Sequence, residues 1–318
     1  MYDLNPIGGY NQISLPNNSF TLHDTAYNYQ SARACLYAHL KHRKPSAVYI
    51  PNYICESIIR PIKELGIEIK IYEINNHLLP SQIAFCNENE SFLIVNYFGL
   101  LTKSITKIVS ENKANFIVDN SQALFEPPIP NAINIYSLRK FISVPDGGFL
   151  YTEQKLKQPD EEFEGERYLS HLFLRAAGLV EKGYNYFLES EKALENCIPR
   201  KMSSVSKYIL TSIDIHAIKK SRVRNFCALD DEYKNLNTLS ISQIHTVPLC
   251  YPLKLSSNVD YIHSELIKKR IFLPRYWKSE FNGPVGEDMY DSTLFLPIDE
   301  RLSMVDLNRL ISIVNSMI

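Results

Sequence analysis

The chain has 318 residues, 45% hydrophobic and 22% charged, enough for a large domain, a smaller one and a sizeable apolar core. Its formal net charge of −1 provides no global field for nucleic acid or an anionic membrane. No apolar stretch is long enough to span a bilayer, and Met1 to Pro6 lacks a basic region followed by an apolar one. The six cysteines form no C-x-x-C pair, so a cytoplasmic protein with free thiols is expected. The eight histidines show no metal-ligand spacing, and no metal site is expected.

In chain order, the first half alternates short β-rich runs with helical segments. Ser31 to Lys41 reads as a helix and Ala47 to Ile50 as a strand ended by Pro51. Ile54 to Leu65 is helical, and Glu68 to Tyr72 and Ser91 to Asn96 are strands. A helix follows over Ile105 to Glu111, then strands at Phe116 to Val118, Ile133 to Tyr136 and Gly148 to Tyr151. This alternation predicts an α/β fold with a mostly parallel sheet covered by helices on both faces. Ligands of such sheets sit outside the carboxyl ends of the strands, where Asp119 and Ser137 fall.

The second half changes character. Arg167 to Leu194 and Ser206 to Asn235 read as long charged helices. A strand candidate at Ile244 to Leu249, a helix at Val259 to Lys269, a short run Thr293 to Leu296 and a final helix at Met304 to Met317 follow. The pattern predicts a large domain over residues 1–205 and a smaller α+β domain over 206–318.

The chemistry concentrates in the middle. Asp119-Asn120-Ser121-Gln122 ends one strand run, and Ser137-Leu138-Arg139-Lys140 ends the next, with Gly147-Gly148 close behind. Taken singly, these are a turn or N-cap residue, a surface lysine and a hairpin turn. As an ordered set they fit a pyridoxal 5′-phosphate (PLP) site. Asp119 would keep the pyridine nitrogen protonated, and Gln122 would bond the ring hydroxyl. Ser137 and the helix opening at Ser31-Ala32-Arg33 would face the phosphate, and Lys140 would form the Schiff base.

Those residues, with others along the chain, resemble the DegT/StrS-type sugar-nucleotide aminotransferases of PLP fold type I. Pro6-Ile7-Gly8-Gly9 is similar to the family's N-terminal P-x-G-G, which lies near the substrate, and a role near the active site is implied for residues 1–20. Ser31-Ala32-Arg33-Ala34-Cys35-Leu36 is similar to the phosphate-binding S-G-T-x-A-L turn. Val48 to Tyr53 is similar to V-x-x-P-x-Y, Val95 to Gly99 to V-H-x-x-G, and Val118 to Ala123 to E-D-x-x-Q-A. Leu296-Pro297-Ile298 with Val305 to Val314 is similar to the family's C-terminal pattern.

The resemblance implies a seven-stranded-type sheet and an amino group passed, from glutamate, to a keto group on a nucleotide-linked sugar. Lys140 would be catalytic, and Ala32, Arg33, Asp119, Gln122 and Ser137 would bind the cofactor. It also implies a homodimer with shared sites. Asn185, in Gly183-Tyr184-Asn185-Tyr186, would reach the partner's cofactor phosphate; the same segment also reads as ordinary helix surface.

The departures are specific. The chain is shorter than typical members. Ser137 lies three residues before the lysine rather than five, and Phe187 stands where an arginine is usual. Ala32-Arg33 replaces Gly-Thr, so Arg33 would either add charge-assisted phosphate binding or obstruct the site. Cys55 occupies the place of the aromatic that stacks on the ring, with Tyr53 and Tyr97 as substitutes. Lys140 argues against the relatives that dehydrate sugars, which carry histidine there. A degenerate member that binds PLP or a sugar nucleotide without transamination is the alternative.

Overall fold

A computed structural model describes residues 7–18, 22–83, 86–241, 246–278 and 280–318. Seven strands form the main sheet: β1 (Tyr27–Tyr29), β2 (Ala47–Pro51), β3 (Glu68–Tyr72), β4 (Glu90–Val95), β5 (Phe116–Asp119), β6 (Ile133–Ser137) and β7 (Gly148–Tyr151). Their order is β1-β7-β6-β5-β4-β2-β3. The pairs from β3 through β6 are parallel, and β7 runs antiparallel to both β1 and β6. Every residue of β4 and β5 is buried, as expected for central strands covered on both faces. β1, only three residues long, carries too little periodicity to be legible in advance.

The covering helices of the first half are α1 (Ala32–Arg43), α2 (Glu56–Glu64) and α3 (Thr102–Glu111). Ser31 caps α1 by accepting the Ala34 N–H, and Lys41, His42 and Arg43 complement the dipole in its last turn. Lys44 closes the helix in the left-handed region at φ 53°.

The two long helices expected in the second half are each broken. Gly178, at φ +78°, separates α4 (Ser170–Ala176) from α5 (Val180–Ala193). Asp214 caps a new start by accepting the Ala217 N–H, so α6 (Ser204–Thr211) and α7 (Ile215–Tyr233) are separate. The strand expected at Ile244 to Leu249 lies instead at β8 (Cys250–Lys254); Ile244 and His245 are outside the described residues. Then follow α8 (Asp260–Lys268), α9 (Pro284–Ser292), β9 (Thr293–Pro297) and α10 (Met304–Asn315). β8 and β9 pair antiparallel as a separate ribbon. α9 is started by Pro284 in its first turn and was not legible from periodicity.

Three apolar clusters hold these elements. The largest fills the sheet and its helices. A second gathers Phe226, Leu229, Tyr251, Leu296, Leu307 and Val314 between α7, the ribbon and α10. A third joins Leu138 and Phe141, beside Lys140, to Met202, Leu210 and Ile218. The 205/206 division falls inside α6, whose Leu210 packs with the third cluster. Residues 13–18 lie along α6: Tyr208 Oη donates to the Ile13 carbonyl at 2.7 Å, and Asn18 N–H to the Thr211 carbonyl at 2.7 Å. Pro6, part of the P-x-G-G segment, is outside the described residues.

Candidate active site

Sheet order reverses between β4 and β2, and the loops leaving these strands face each other there. After β2 comes Tyr53 and after β4 comes Tyr97. Their rings stack with centroids 5.4 Å apart, and Trp277 approaches Tyr53 to 5.1 Å. Tyr97 Oη donates to the Tyr53 carbonyl and Tyr53 Oη to the Tyr276 carbonyl. Both tyrosines are fully buried, and burial holds both phenols well above their usual range; for Tyr97 the Asp119 charge adds to this. Cys55 is half-buried, accepting from Ser57 Oγ at 3.1 Å.

One strand further on, Asp119 ends β5 opposite Val95 and Ile135. Its Oδ1 accepts the Ser121 N–H at 2.9 Å, which folds the next residues into a tight turn and leaves Oδ2 for another donor. Gln122, 1% exposed, accepts the Phe98 N–H through Oε1 at 2.9 Å. Its Nε2 is buried with no partner among the described residues. Such an orphan donor is costly, and a bound acceptor would relieve it.

Three asparagines brace this turn. Asn96 Nδ2 donates to Asn120 Oδ1 and Asn120 Nδ2 to Asn134 Oδ1, each at 3.0 Å, and Asn134 bonds Ile129 in both directions at 2.9 Å. Asn134 carries the legible signal, a polar residue between Ile133 and Ile135 in a buried strand.

Ser137 ends β6 and pairs with Gly148, which lies directly against the start of α1. A Cβ on Gly148 would be 2.5 Å from Ala32 N, so only glycine lets β7 approach the helix this closely. The amides of Ala32 and Arg33, first in α1, have no intrahelical acceptor, an arrangement suited to a phosphate. The Arg33 side chain is engaged elsewhere, donating to the Leu194 carbonyl and lining a groove with Arg60 and Lys63. What Arg33 offers an anion at the α1 start is therefore its backbone N–H.

Lys140 sits in the turn after β6, exposed, at a cavity of about 280 Å³ between that turn, α4 and the residues after β9. The turn is anchored at both ends. Leu138 and Phe141 are buried, and Asp146 is fully buried, accepting from Ser203 N at 2.8 Å and from the hydroxyls of Ser203 and Ser206 at 2.5 Å each. Burial pushes the Asp146 carboxyl up despite those bonds and the Arg139 charge. Sequence reasoning missed Asp146, because its partners lie nearly sixty residues away. Asn185 is exposed on α5 and does not line the Lys140 cavity of its own chain.

The fold has counterparts among solved structures, while no protein-family model and no curated protein matches the chain by sequence. Spr1654 of Streptococcus pneumoniae, described as a sugar aminotransferase, superposes in its apo form with TM-score 0.64 and 13% identity. The match covers 92% of this chain and 85% of that one. DesV of S. venezuelae, solved with a ketimine intermediate, gives 0.65 at 13% identity, covering 92% and 84%. A DegT DnrJ EryC1 StrS aminotransferase from Brucella abortus gives 0.59 at 14%, covering 92% and 85%. The chain has the fold of the DegT/StrS-type sugar aminotransferases, the seven-stranded PLP fold type I.

Proposed function

We propose that the protein is a PLP-dependent aminotransferase that moves an amino group from an amino-acid donor, glutamate, to a keto group of a nucleotide-linked sugar. The observation that carries this reading is the buried Gln122 Nε2, without a hydrogen-bond partner among the described residues, one turn from a strand-end carboxylate. Asp119 would hold the pyridine nitrogen in its protonated form. Gln122 Nε2 would donate to the ring hydroxyl. The Ala32 and Arg33 amides, with the Ser137 hydroxyl, would hold the phosphate. When bound, the cofactor supplies an electron sink for the carbon that loses or gains the amine. Lys140 would attach the cofactor and then carry the proton between substrate and cofactor carbons.

Nucleotide-linked sugars are inferred from the fold's solved examples described as sugar aminotransferases. We also infer a homodimer in which Asn185 serves the partner's site. Supporting this, α4 and α5 expose Phe173, Tyr184, Tyr186 and Leu188 at 43–57%. Sedimentation at micromolar concentration tests it; a monomer would remove Asn185 from the site. No helix among the described residues is long and apolar enough to cross a membrane. A cytoplasmic location stays part of the proposal.

The decisive test is the visible spectrum of purified protein after PLP addition, before and after glutamate, with Lys140→Ala as control. A Lys140-dependent band that glutamate bleaches is expected. Absence of any such band would refute the reading.

A further inference from the structure

The cavity that Lys140 faces is walled by its own turn, by Arg175 of α4, by Arg222 of α7, and by Asp299, Glu300 and Arg301 after β9. With Arg139, five cationic side chains line it against two carboxylates, in a chain of net charge −1.

The local pairs leave charge over. Arg301 Nε lies 2.6 Å from Asp299. Arg222, 3% exposed, spends Nη1 on the Leu249 carbonyl at 3.1 Å, and its Nε stands 3.6 Å from Glu300, beyond hydrogen-bond length. Arg139 meets Glu191 at 2.5 Å. Arg175 and Lys140 have no hydrogen bond or ion pair among the described residues. The Nε donors of Arg139 and Arg222 and the Nδ1 of His171 are buried without a hydrogen-bond partner, as is the Glu300 Oε2 acceptor facing Arg222 Nε. Partial desolvation of the otherwise exposed Arg175 and the nearby Arg301 charge hold it below the ordinary guanidinium range, with Asp299 opposing. Guanidinium groups match carboxylate or phosphate oxygens, and an anion held by Arg175 and Lys140 would offset the remaining positive charge.

We propose that this cavity is an oxyanion pocket that takes a carboxylate or phosphate group of the substrate beside Lys140. Its assignment to substrate rests on the aminotransferase reading; its affinity for an anion does not. At about 280 Å³ it has room for a diphosphate or a five-carbon dicarboxylate. The candidate occupants are the diphosphate of the acceptor and a carboxylate of the donor.

The test is calorimetric titration of the full chain in phosphate-free buffer with pyrophosphate and, separately, glutarate, each with and without PLP. Arg175→Gln and Arg301→Gln serve as variants. Arg175 is exposed and without an ion pair, so its variant is expected to fold; the melting temperature of each variant checks this. Saturable binding of at least one probe is expected, weakened at least about tenfold by Arg175→Gln. Pyrophosphate binding assigns the pocket to the acceptor, and glutarate binding assigns it to the donor. No saturation below about 10 mM, or binding that both variants leave unchanged, overturns the proposal. A sample that binds pyrophosphate but shows no PLP band would sink the cofactor reading and leave the pocket standing.

Discussion

Gly148→Ala tests the closest backbone approach in the site. The added Cβ would lie 2.4 Å from Ser31 C, 2.5 Å from Ala32 N and 2.6 Å from Ser31 O. All three are backbone atoms at the cap of α1, held by Ala34 N–H to Ser31 Oγ at 3.1 Å and Cys35 N–H to Ser31 O at 3.0 Å. Ordinary Cβ contacts begin near 3.4 Å, so β7 and α1 must part by about 1 Å. With backbone on both sides, the cost falls at the upper end for overpacking, about 3 kcal/mol. At about 2.1 cal/mol/K per residue, a chain of this length then loses about 4 °C of melting temperature. The same separation opens the turn expected to hold the cofactor phosphate, so PLP affinity should fall at least about tenfold. Calorimetric melting and an absorbance titration with PLP measure both. Gly147→Ala is the control: its added Cβ meets the tip of Leu138, a side chain that can rotate, although φ +141° adds backbone strain. A Gly148→Ala protein melting within about 1 °C of the parent, with unchanged PLP affinity, would refute the reasoning.

Three further outcomes are expected. Asp119→Asn keeps the acceptor for the Ser121 N–H but loses the charge, so turnover should fall by about 10² or more while melting changes little; equal turnover would remove Asp119 from the chemistry. Asp146→Ala strips the acceptor from three buried donors and should cost about 3–5 kcal/mol, read as an early melting transition; a shift under about 1 °C would contradict the buried network. Burial, aided by Arg43 and His42, lowers His39 to about 4 from 6.5. A base depressed in the fold contributes stability above its unfolded pKa, and that stability is lost as pH falls from 6.5 toward 4, about 3 kcal/mol in all. His39→Gln should flatten that acid limb in denaturant titrations at a series of pH values; an unchanged slope would rule His39 out as its source.

How much was legible in advance differs by element. Strands β2 to β7 were readable because short β-branched and aromatic runs between helical segments have few other folds to join. The parallel sheet and the carboxyl-end position of Asp119 and Ser137 followed from that alternation. The breaks at Gly178 and Asp214 were missed, because helical periodicity continues across both; backbone conformation and capping decided them locally. α9 was missed because Gly286 has a packing role that periodicity does not encode: a Cβ there would meet the Tyr53 Cβ at 3.1 Å.

The site divides the same way. By itself the sequence determined the chemical inventory: a strand-end carboxylate, an amide three residues on, a lysine past the next strand and a helix opening after Ser31. These sit at fixed spacing from elements whose period can be read locally. Only the tertiary structure decided that Gln122 keeps an orphan donor, that Arg33 turns its side chain to Leu194, and that Asp146 anchors the lysine turn through Ser203 and Ser206. It alone gathered Arg175, Arg222 and Arg301 around Lys140. These groups come from segments far apart in the chain. Only the packing of α4, α7 and the residues after β9 around the Lys140 turn brings them together, and sequence spacing carries no record of that contact.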